Sequence, residues 1–327
     1  MSAAAWELGR RCANGVERPD LFLVTDFVDL SQLQAFLPAD WADIPRVLYM
    51  HENQLTYPER GGADRDNSWG FKNVLSCLAA DRVIFNSAFH RNAFGAAADA
   101  LLKRLPKPNP RAELQAALKA ASVIGPGIPF EEIRLGTGGQ DPAPLRVLFN
   151  HRWEHDKDPT AFLQAAVEAR SRGAEFELVI LGEDFESAEE LPGAALLAEL
   201  AGCIGQRGFL ESRDAYFEAL GRSDVVVSTA QHEFYGIALL EAVAAGCTPL
   251  APARLAYPEV LPELAREGQL YGDAEELTGR LVELARDPQP LRDPKVRARL
   301  RASVADEDVV SKVECLDRLV DEQVSED

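Results

Sequence analysis

At 327 residues the chain is long enough for two domains of ordinary size, and its hydrophobic fraction of 46% and charged fraction of 27% are typical of a soluble globular protein. It has no run of about 18 apolar residues and no N-terminal basic start followed by an apolar block, which argues against a transmembrane helix and a signal peptide. The formal net charge of −19 argues against a protein that mainly binds a phosphate backbone, because such binding depends on Lys and Arg.

Short β-branched runs alternate with helical patterns along the chain, which predicts parallel α/β units. In the first half we predict strands at 21–26, 46–51, 82–87 and 122–125. In the second half we predict strands at 145–150, 176–182, 203–209, 224–229 and 248–252, with a last short one near 269–272. Helices are predicted at 159–173, at 212–223 with Ser212 as N-cap, and along the acidic tail at 305–327.

The segment 135–146 is rich in Gly and Pro and breaks the alternation, so we predict that it links two Rossmann-like domains, 1–140 and 141–327. In open parallel sheets, ligands bind at the carboxyl ends of the strands. All five histidines lie within a few residues of such a predicted end: His51, His90, His151, His155 and His232. We therefore expect both domains to face one cleft that holds the active site.

Two cations, Arg152 and Lys157, follow the strand predicted at 145–150. Five residues apart at the start of a helix, they suit the diphosphate of a nucleotide. A solvated loop is the alternative interpretation, because the segment RWEHDK also carries acidic side chains. The position at the carboxyl end of a strand favours the diphosphate.

Glu233 and Glu241 form an E-x7-E pattern after the strand predicted at 224–229. Gly236 lets the backbone turn close to a ligand, and the amides of residues 234–237 would point at an anion where the next helix begins. Glu241 lies among apolar residues in that helix, where a carboxylate is tolerable if it accepts hydrogen bonds from ligand hydroxyls such as a ribose diol. The alternative is a Glu241 side chain that points to solvent.

Other residues near strand ends allow more than one role. Phe234 and Tyr235 could stack on a sugar or base, or pack in the core. His51 could act as a general base, bind sugar or acceptor hydroxyls, or be satisfied by the backbone. The same alternatives hold for Asn86, Ser87 and His90.

The spacing of Cys, His and Gly argues against two kinds of site. The five cysteines are scattered without a CxxC pair, and HRWEH lacks the HExxH order, so we predict no metal site. No GxGxxG follows a strand, which argues against a dinucleotide-binding protein. The cysteine usage fits a reducing cytoplasm, where we expect the protein to be located.

Four blocks of the sequence resemble one group of glycosyltransferases. They are LYMHENQLTYP (48–58), CLAADRVIFNSAFHRNAF (77–94), FNHRWEHDKDP (149–159) and VVSTAQHEFYGIALLEAVAAGCTPLAPARLAYPE (226–259). The basic pair and E-x7-E resemble retaining GT4-like glycosyltransferases of the GT-B fold. HENQ together with NHRWEHDK resembles more closely the tRNA-queuosine α-mannosyltransferase family, and the blocks lie in both predicted domains.

This resemblance implies an α/β fold of GT-B type, with two Rossmann-like domains whose parallel sheets face a central cleft. It implies an enzyme of EC class 2.4 that moves mannose, with retention, from GDP-mannose to the cyclopentenediol of queuosine in tRNA. The N-terminal domain would be the acceptor side, and the C-terminal domain would bind the nucleotide sugar. No metal cofactor and no protein nucleophile are implied, because protein cations and helix amides neutralise the leaving diphosphate.

The resemblance also implies roles for single residues. Arg152 and Lys157 match the family's diphosphate-binding cations, Glu233 matches the glutamate that holds sugar hydroxyls, and Glu241 matches the ribose-binding glutamate. His51 lies where the family presents a histidine to the donor sugar, so the expected catalytic residues are His51, Arg152, Lys157 and Glu233. Expected donor contacts add Phe234, Tyr235, Gly236, Ile237 and Glu241, and the acceptor-side candidates are Glu52, Asn53, Asn86, Ser87 and His90.

The chain departs from the family at its N-terminus. The family begins with a strand and a Gly-Gly-Ser-His loop, whereas this chain begins at a predicted helix, so we expect an N-terminal domain without its first strand. The net charge of −19 is in tension with a tRNA partner. The alternatives are a GT4-like enzyme with another nucleotide sugar and a small-molecule or lipid acceptor, an inactive sugar-nucleotide-binding protein, and an epimerase, against which HENQ and NHRWEHDK argue.

Overall fold

The computed structural model describes residues 4–15, 17–58, 67–139, 142–182 and 193–325. Its internal contacts divide the chain into two compact units. The first unit combines Met1–Pro126 with Lys312–Asp327, and the second is Gly127–Ser311. The boundary predicted between residues 140 and 141 lies outside the described residues, whereas the two units separate after Pro126 and the end of the chain returns to the first unit.

The first unit contains a four-stranded parallel sheet in which the strands pair in chain order. The strands are β1 Phe22–Thr25, β2 Arg46–Met50, β3 Arg82–Phe85 and β4 Ser122–Val123. The helices up to β4 are α1 Ala4–Ala13, α2 Leu30–Phe36, α3 Asn67–Ala79, α4 Ala88–Lys103 and α5 Arg111–Ala120. One face of the sheet, with Leu48, Met50 and Phe85, packs against apolar side chains of these helices.

The second unit contains a five-stranded parallel sheet in the order β7-β6-β5-β8-β9. The strands are β5 Leu145–Phe149, β6 Phe176–Leu181, β7 Ile204–Gly208, β8 Val225–Val227 and β9 Thr248–Leu250. The chain leaves the central strand β5 for β6 and β7 on one side and then returns to β8 and β9 on the other. The switch in direction lies between β5 and β8, which is where open α/β sheets bind their ligands.

Nine helices of the second unit surround this sheet within the described residues, and a further helix ends the chain. They are α6 Pro159–Ser171, α7 Ala194–Glu199, α8 Arg213–Gly221, α9 Ile237–Ala244, α10 Tyr257–Val260, α11 Pro262–Arg266, α12 Ala274–Arg286, α13 Gln289–Arg292, α14 Pro294–Ala302 and α15 Val309–Ser325. None of the helices in the part of the chain that the structure describes is long and apolar enough to cross a membrane.

Both faces of the second sheet are buried, because each is covered by helices. On one face Leu148 and Val226 pack with Leu239 and Leu240 of α9. On the other, Phe149 stacks on a ring of α6 with centroids 4.7 Å apart. Burial on both sides explains why these strands are almost continuously apolar.

The last helix completes the core of the first unit. Leu316 and Leu319 of α15 pack against Val47, Tyr49 and Ile84, on a small apolar face of the first sheet. The predicted tail helix at 305–327 is found as a short 3-10 turn followed by α15.

The strands predicted from sequence are confirmed, each one to three residues shorter than predicted, except the last. Near 269–272 only an isolated bridge between Pro252 and Tyr271 forms. The N-cap at Ser212 is confirmed, because its side chain accepts the Ala215 amide at 3.3 Å. His51 and Asn150, which the predicted strands lose at their carboxyl ends, lie in loops of the candidate site.

Candidate active site

Two loops meet at the switch point of the second sheet, residues 150–158 after β5 and residues 228–236 after β8. Thr229 connects them, because its Oγ1 bonds to the backbone oxygens of Lys157 at 3.0 Å and Asp158 at 2.8 Å. The side chains on the two loops therefore keep a fixed relation to each other.

The Lys157 ammonium is nearly buried between these loops, with its side chain 12% exposed. Its Nζ lies 3.2 Å from Glu233 Oε2, 3.0 Å from Asp156 Oδ2 and 3.1 Å from the carbonyl oxygen of His232. Burial lowers the pKa of the ammonium, but the carboxylates of Glu233 and Asp156 raise it further, so the net pKa shift is upward. Lys157 is therefore positively charged, and its ammonium already has three hydrogen-bond acceptors within this chain.

Glu233 binds both Lys157 and the backbone. Its Oε1 accepts the amides of Phe234 at 3.1 Å and Tyr235 at 3.3 Å, while its Oε2 faces Lys157. Burial raises the pKa of Glu233, but the charge of Lys157 and these hydrogen bonds lower it further, so the net pKa shift is downward. The carboxylate is ionised at neutral pH and held at both oxygens.

Arg152 lies on the same loop in a more open position, with its side chain 59% exposed. Its Nη1 pairs with Glu154 Oε1 at 3.1 Å. Both predicted diphosphate cations, Arg152 and Lys157, are thus paired with carboxylates of this chain. A diphosphate can bind by taking over these hydrogen bonds, and the exposed Arg152 pair exchanges at the lower cost.

His151 follows β5 directly and is buried, with its ring edge-on to Phe149 at 5.3 Å between centroids. Burial and, after it, the charge of Lys157 lower the pKa of His151 to about 4, so the ring is neutral at neutral pH. Its Nε2 has no hydrogen-bond partner among the described residues. His151 therefore enters this charged site as a neutral side chain.

Glu241 is part-buried in α9 and belongs to a chain of hydrogen bonds from three segments. Its Oε2 accepts the Tyr216 hydroxyl at 2.9 Å, and that hydroxyl accepts the Asn150 Nδ2 at 3.0 Å. Asn150 Nδ2 also donates to the carbonyl of Ala238 at 2.8 Å. Burial raises the pKa of Glu241, and the hydrogen bond from Tyr216 offsets only part of that rise.

Tyr216 and Asn150 are site residues that the sequence analysis missed. Tyr216 lies inside the helix predicted at 212–223 and belongs to no motif, so only its contact with Glu241 reveals its role. Asn150 had a detectable signal, since it is the first polar residue after an apolar strand at a carboxyl end.

In the loop before α9 the backbone, and not the aromatic rings of Phe234 and Tyr235, is available to contact a ligand. Phe234 and Tyr235 are buried, so of the two interpretations the structure favours a core position for their side chains. Gly236 has a φ of 97°, and a Cβ there would lie 3.1 Å from Tyr257 Cε1, so both the conformation and the space favour glycine. Ile237 is exposed where the helix begins.

In the first unit, Asp26 follows β1 and organises the loop after β2. Its Oδ1 accepts the amides of His51 at 2.8 Å and Glu52 at 3.4 Å. Burial lowers the pKa of the half-buried His51 ring, and the charge of Glu52 offsets only part of this. The neutral ring can therefore accept a proton or a hydrogen bond at neutral pH.

The other acceptor-side candidates have partners within the first unit. Asn86 Nδ2 donates to the His51 carbonyl at 2.9 Å, and Asn86 Oδ1 lies 2.8 Å from His90 Nδ1. Ser87 caps α4 by accepting the His90 amide at 3.0 Å. Asn53 closes its own turn, because its Oδ1 accepts two amides downstream at 3.1 and 3.0 Å. These side chains shape the loop that carries His51.

A cavity of about 210 Å³ opens beside this loop in the first unit. Its lining includes Asp26, Gln32, Gln54, Trp69 and Lys72. The Lys72 ammonium lies 4.1 Å from the centroid of a Trp69 ring, in cation–π contact. Aromatic faces combined with hydrogen-bonding groups suit a small polar ring.

The described residues group no three His, Cys, Asp or Glu side chains in a way that could hold a metal ion. Within HRWEH, His151 is buried and His155 is exposed, so this pair is not arranged as two ligands of one ion.

Family models match both halves of the chain. Residues 1–128 match the model described as tRNA-queuosine alpha-mannosyltransferase N-terminal. Residues 137–301 match the model described as Glycosyl transferases group 1. A tRNA-queuosine alpha-mannosyltransferase from Drosophila melanogaster is 33% identical over 280 residues, which are 83% of this chain and 72% of the fly protein.

Solved structures share the fold at low sequence identity. HepE from Anabaena, in complex with UDP, matches with a TM-score of 0.68 at 15% identity. The match covers 97% of this chain and 82% of the HepE chain. A trehalose 6-phosphate synthase from Burkholderia multivorans matches with a TM-score of 0.71 at 15% identity. The match covers 98% of this chain and 75% of the synthase chain. Together with the two parallel sheets, these neighbours show the α/β GT-B fold.

Proposed function

Because the chain belongs to the tRNA-queuosine α-mannosyltransferase family and is a glycosyltransferase, we propose that it transfers mannose from GDP-mannose to the cyclopentenediol of queuosine in tRNA. The observation that carries this proposal is the 33% identity to the fly enzyme over 83% of the chain. The pairing of Lys157 with Glu233 at a topological switch point supports it independently.

The second unit is proposed to bind the donor. Arg152 and Lys157 would exchange carboxylate partners for the oxygens of the diphosphate, in charge-assisted hydrogen bonds. Glu233 would accept hydrogen bonds from hydroxyls of the transferred sugar. Glu241 would accept hydrogen bonds from the ribose through Oε1, because Tyr216 occupies Oε2.

The proposed reaction breaks the bond between the anomeric carbon and the diphosphate and forms a bond from that carbon to an acceptor oxygen. The acceptor proton passes to the departing phosphate oxygen on the same face of the sugar. The anomeric configuration is therefore retained without a protein nucleophile. Arg152 and Lys157 stabilise the charge that develops on the diphosphate, and with these cations in place we propose that no metal ion is required.

The first unit is proposed to receive the acceptor, because its sequence matches the N-terminal model of the family. His51 is our candidate there for contact with a hydroxyl, since burial keeps its ring neutral. Glu52 follows on the same loop. A tRNA substrate supports a cytoplasmic location.

The test uses purified protein, tRNA that carries queuosine, and either GDP-mannose or UDP-glucose. We expect a hexosylated queuosine nucleoside, detected by mass spectrometry after digestion, with GDP-mannose and not with UDP-glucose. Release of the hexose by an α-mannosidase and not by a β-mannosidase would identify retention. A product formed only from UDP-glucose would contradict the proposed donor, and absence of any product would contradict the proposed transfer to queuosine.

Glu233→Gln preserves the size of the side chain and removes the charge that binds Lys157. We expect transfer to fall by roughly 10² or more, because charge placement at the reacting sugar is lost. Glu177→Gln is the matched control, since Glu177 on β6 pairs with Arg146, which has no role in the proposed donor site. Turnover by Glu233→Gln equal to that of the control would contradict the donor-site assignment.

A further inference from the structure

A group of five basic residues lies in one segment of the first unit of this acidic chain. Residues 100–120 carry five basic side chains and one acidic one, in a protein with a net charge of −19. Three of its seven lysines lie here. The segment forms the end of α4, a turn and α5. We call it the basic surface, and its cations are Lys103, Arg104, Lys107, Arg111 and Lys119.

The turn of the basic surface is fixed, and it borders a groove. Asn109 Nδ2 donates to the carbonyls of Leu102 at 3.2 Å and Leu105 at 3.4 Å. The groove has a volume of about 760 Å³, and its lining includes Lys103, Leu105, Lys107, Pro108, Asn109 and Arg111. The cations at its rim are therefore held on an ordered backbone.

The five cations of the basic surface differ in whether a carboxylate of the described residues pairs with them. Lys103 and Arg111 share one carboxylate, Asp99. Arg104, Lys107 and Lys119 are exposed, and none of the three forms an ion pair with a residue that the structure describes.

The other dense group of basic residues, around α14, is used differently. Arg297 is buried and donates to the carbonyls of Gly136, Gly221, Ser223 and Ala245. Arg292 pairs with the buried Asp224 at 2.8 Å. Those cations stabilise the second unit, whereas the cations of the basic surface face solvent.

Exposed unpaired cations are ordinarily a solvated surface, so charge alone does not identify a ligand. A chain with a charge of −19 repels a polyanion on average, and it can bind one only through a local positive region. Helix α5 has ten residues, which span about 15 Å, so cations along it and the turn match a short run of phosphates. We propose that the basic surface docks the phosphate backbone of the acceptor RNA, an assignment that rests on the tRNA substrate proposed above.

The test removes three charges that form no ion pair with the described residues, in the triple variant Arg104→Gln, Lys107→Gln and Lys119→Gln. The matched control is Arg134→Gln, Arg170→Gln and Lys295→Gln, which removes three exposed charges from the second unit. The dissociation constant for queuosine-containing tRNA is measured by fluorescence anisotropy over a series of salt concentrations. Mannosyl transfer to tRNA and to the free queuosine nucleoside is measured alongside.

We expect the triple variant to bind tRNA at least about tenfold more weakly, with the slope of log affinity against log salt reduced by about 2. Its transfer to the free nucleoside should equal that of the wild type, and the control should match the wild type throughout. Wild-type affinity and slope in the triple variant would overturn the assignment while leaving the proposed function intact. A wild-type protein that neither binds nor modifies tRNA would overturn both.

Vesicles of phosphatidylcholine with phosphatidylserine distinguish RNA from a membrane as the partner. Wild-type binding to vesicles that the triple variant loses, with tRNA binding unchanged, would overturn the RNA assignment in favour of a lipid surface.

Discussion

Tyr216 shows how a side chain outside any motif can set the properties of a site residue. Its hydroxyl donates to Glu241 Oε2 at 2.9 Å and accepts from Asn150. It fixes one carboxylate oxygen and leaves the other available to a ligand. We therefore regard Tyr216 as a positioning residue for Glu241.

Tyr216→Phe removes this hydrogen bond without changing the ring. We expect about tenfold weaker binding of GDP, since a hydrogen bond to a charged group contributes about 1.5 kcal/mol or more. Discrimination of GDP from its 2′,3′-dideoxy analogue, measured by calorimetry, should also shrink. Tyr49→Phe is the control, because its hydroxyl donates to the Ile124 carbonyl in the first unit. Unaltered discrimination in Tyr216→Phe would contradict the role.

We expect His151 to make the free energy of unfolding depend on pH. Its folded pKa of about 4 lies below the ordinary value of 6.5, so between these values the unfolded chain binds more protons. Its contribution is therefore fully present above pH 6.5 and is lost as the pH falls toward 4. From this one group we expect a loss of up to roughly 3 kcal/mol.

The measurement is the difference in free energy of unfolding between pH 7 and pH 4.5, from urea denaturation. His151→Gln should reduce this difference, and His155→Gln, which changes an exposed histidine four residues away, should not. Because each variant is compared with itself at two pH values, a general loss of stability in His151→Gln does not affect the result. Equal differences in all three proteins would contradict the assignment.

The alternation of strands and helices could be predicted from the sequence because each element carries its own period of apolar residues. The pattern of α15 predicts an apolar face, yet it does not say which sheet that face covers. The same limit applies to the site. Arg152, Lys157, Glu233 and Glu241 stand at strand ends or in a motif, whereas the contact between Tyr216 and Glu241 depends on how α8 packs beside α9.

The start of α6 sets the backbone that carries Lys157. Asp158 has a φ of 46°, in the left-handed region, and its side chain caps the helix by accepting the Ala161 amide at 3.1 Å. Asp158→Ala loses the cap and keeps a strained backbone, so we expect a loss of about 2–3 kcal/mol in the free energy of unfolding.

Asp273→Ala is the matched control, since Asp273 caps α12 from an extended backbone. It should cost about 1 kcal/mol. Asp158→Asn should retain most of the stability, because asparagine both caps a helix and tolerates positive φ. Chemical denaturation gives all three values, and equal losses for the two alanine variants would exclude backbone strain at Asp158.

At the scale of the whole molecule, the first unit depends on a segment from the far end of the chain. Leu316 and Leu319 cover the face formed by Val47, Tyr49 and Ile84. The double variant Leu316→Ser, Leu319→Ser should lower the free energy of unfolding by about 2–3 kcal/mol.

The control for this prediction is Val313→Ser with Val324→Ser, at two exposed positions of the same helix. Both proteins are compared by thermal and urea denaturation. If the control loses as much stability as the leucine variant, helix propensity and not the covered face explains the effect.

The division of the chain also has a consequence for the order of events on the ribosome. The second unit is one continuous stretch, Gly127–Ser311, whereas the first is completed only by residues that are translated after it. Because domains fold as units during synthesis, the second unit can reach its native state before Leu316 and Leu319 of the first unit have been translated. We therefore expect the nascent first unit to lack the contacts of Leu316 and Leu319 with its sheet throughout translation of the second unit.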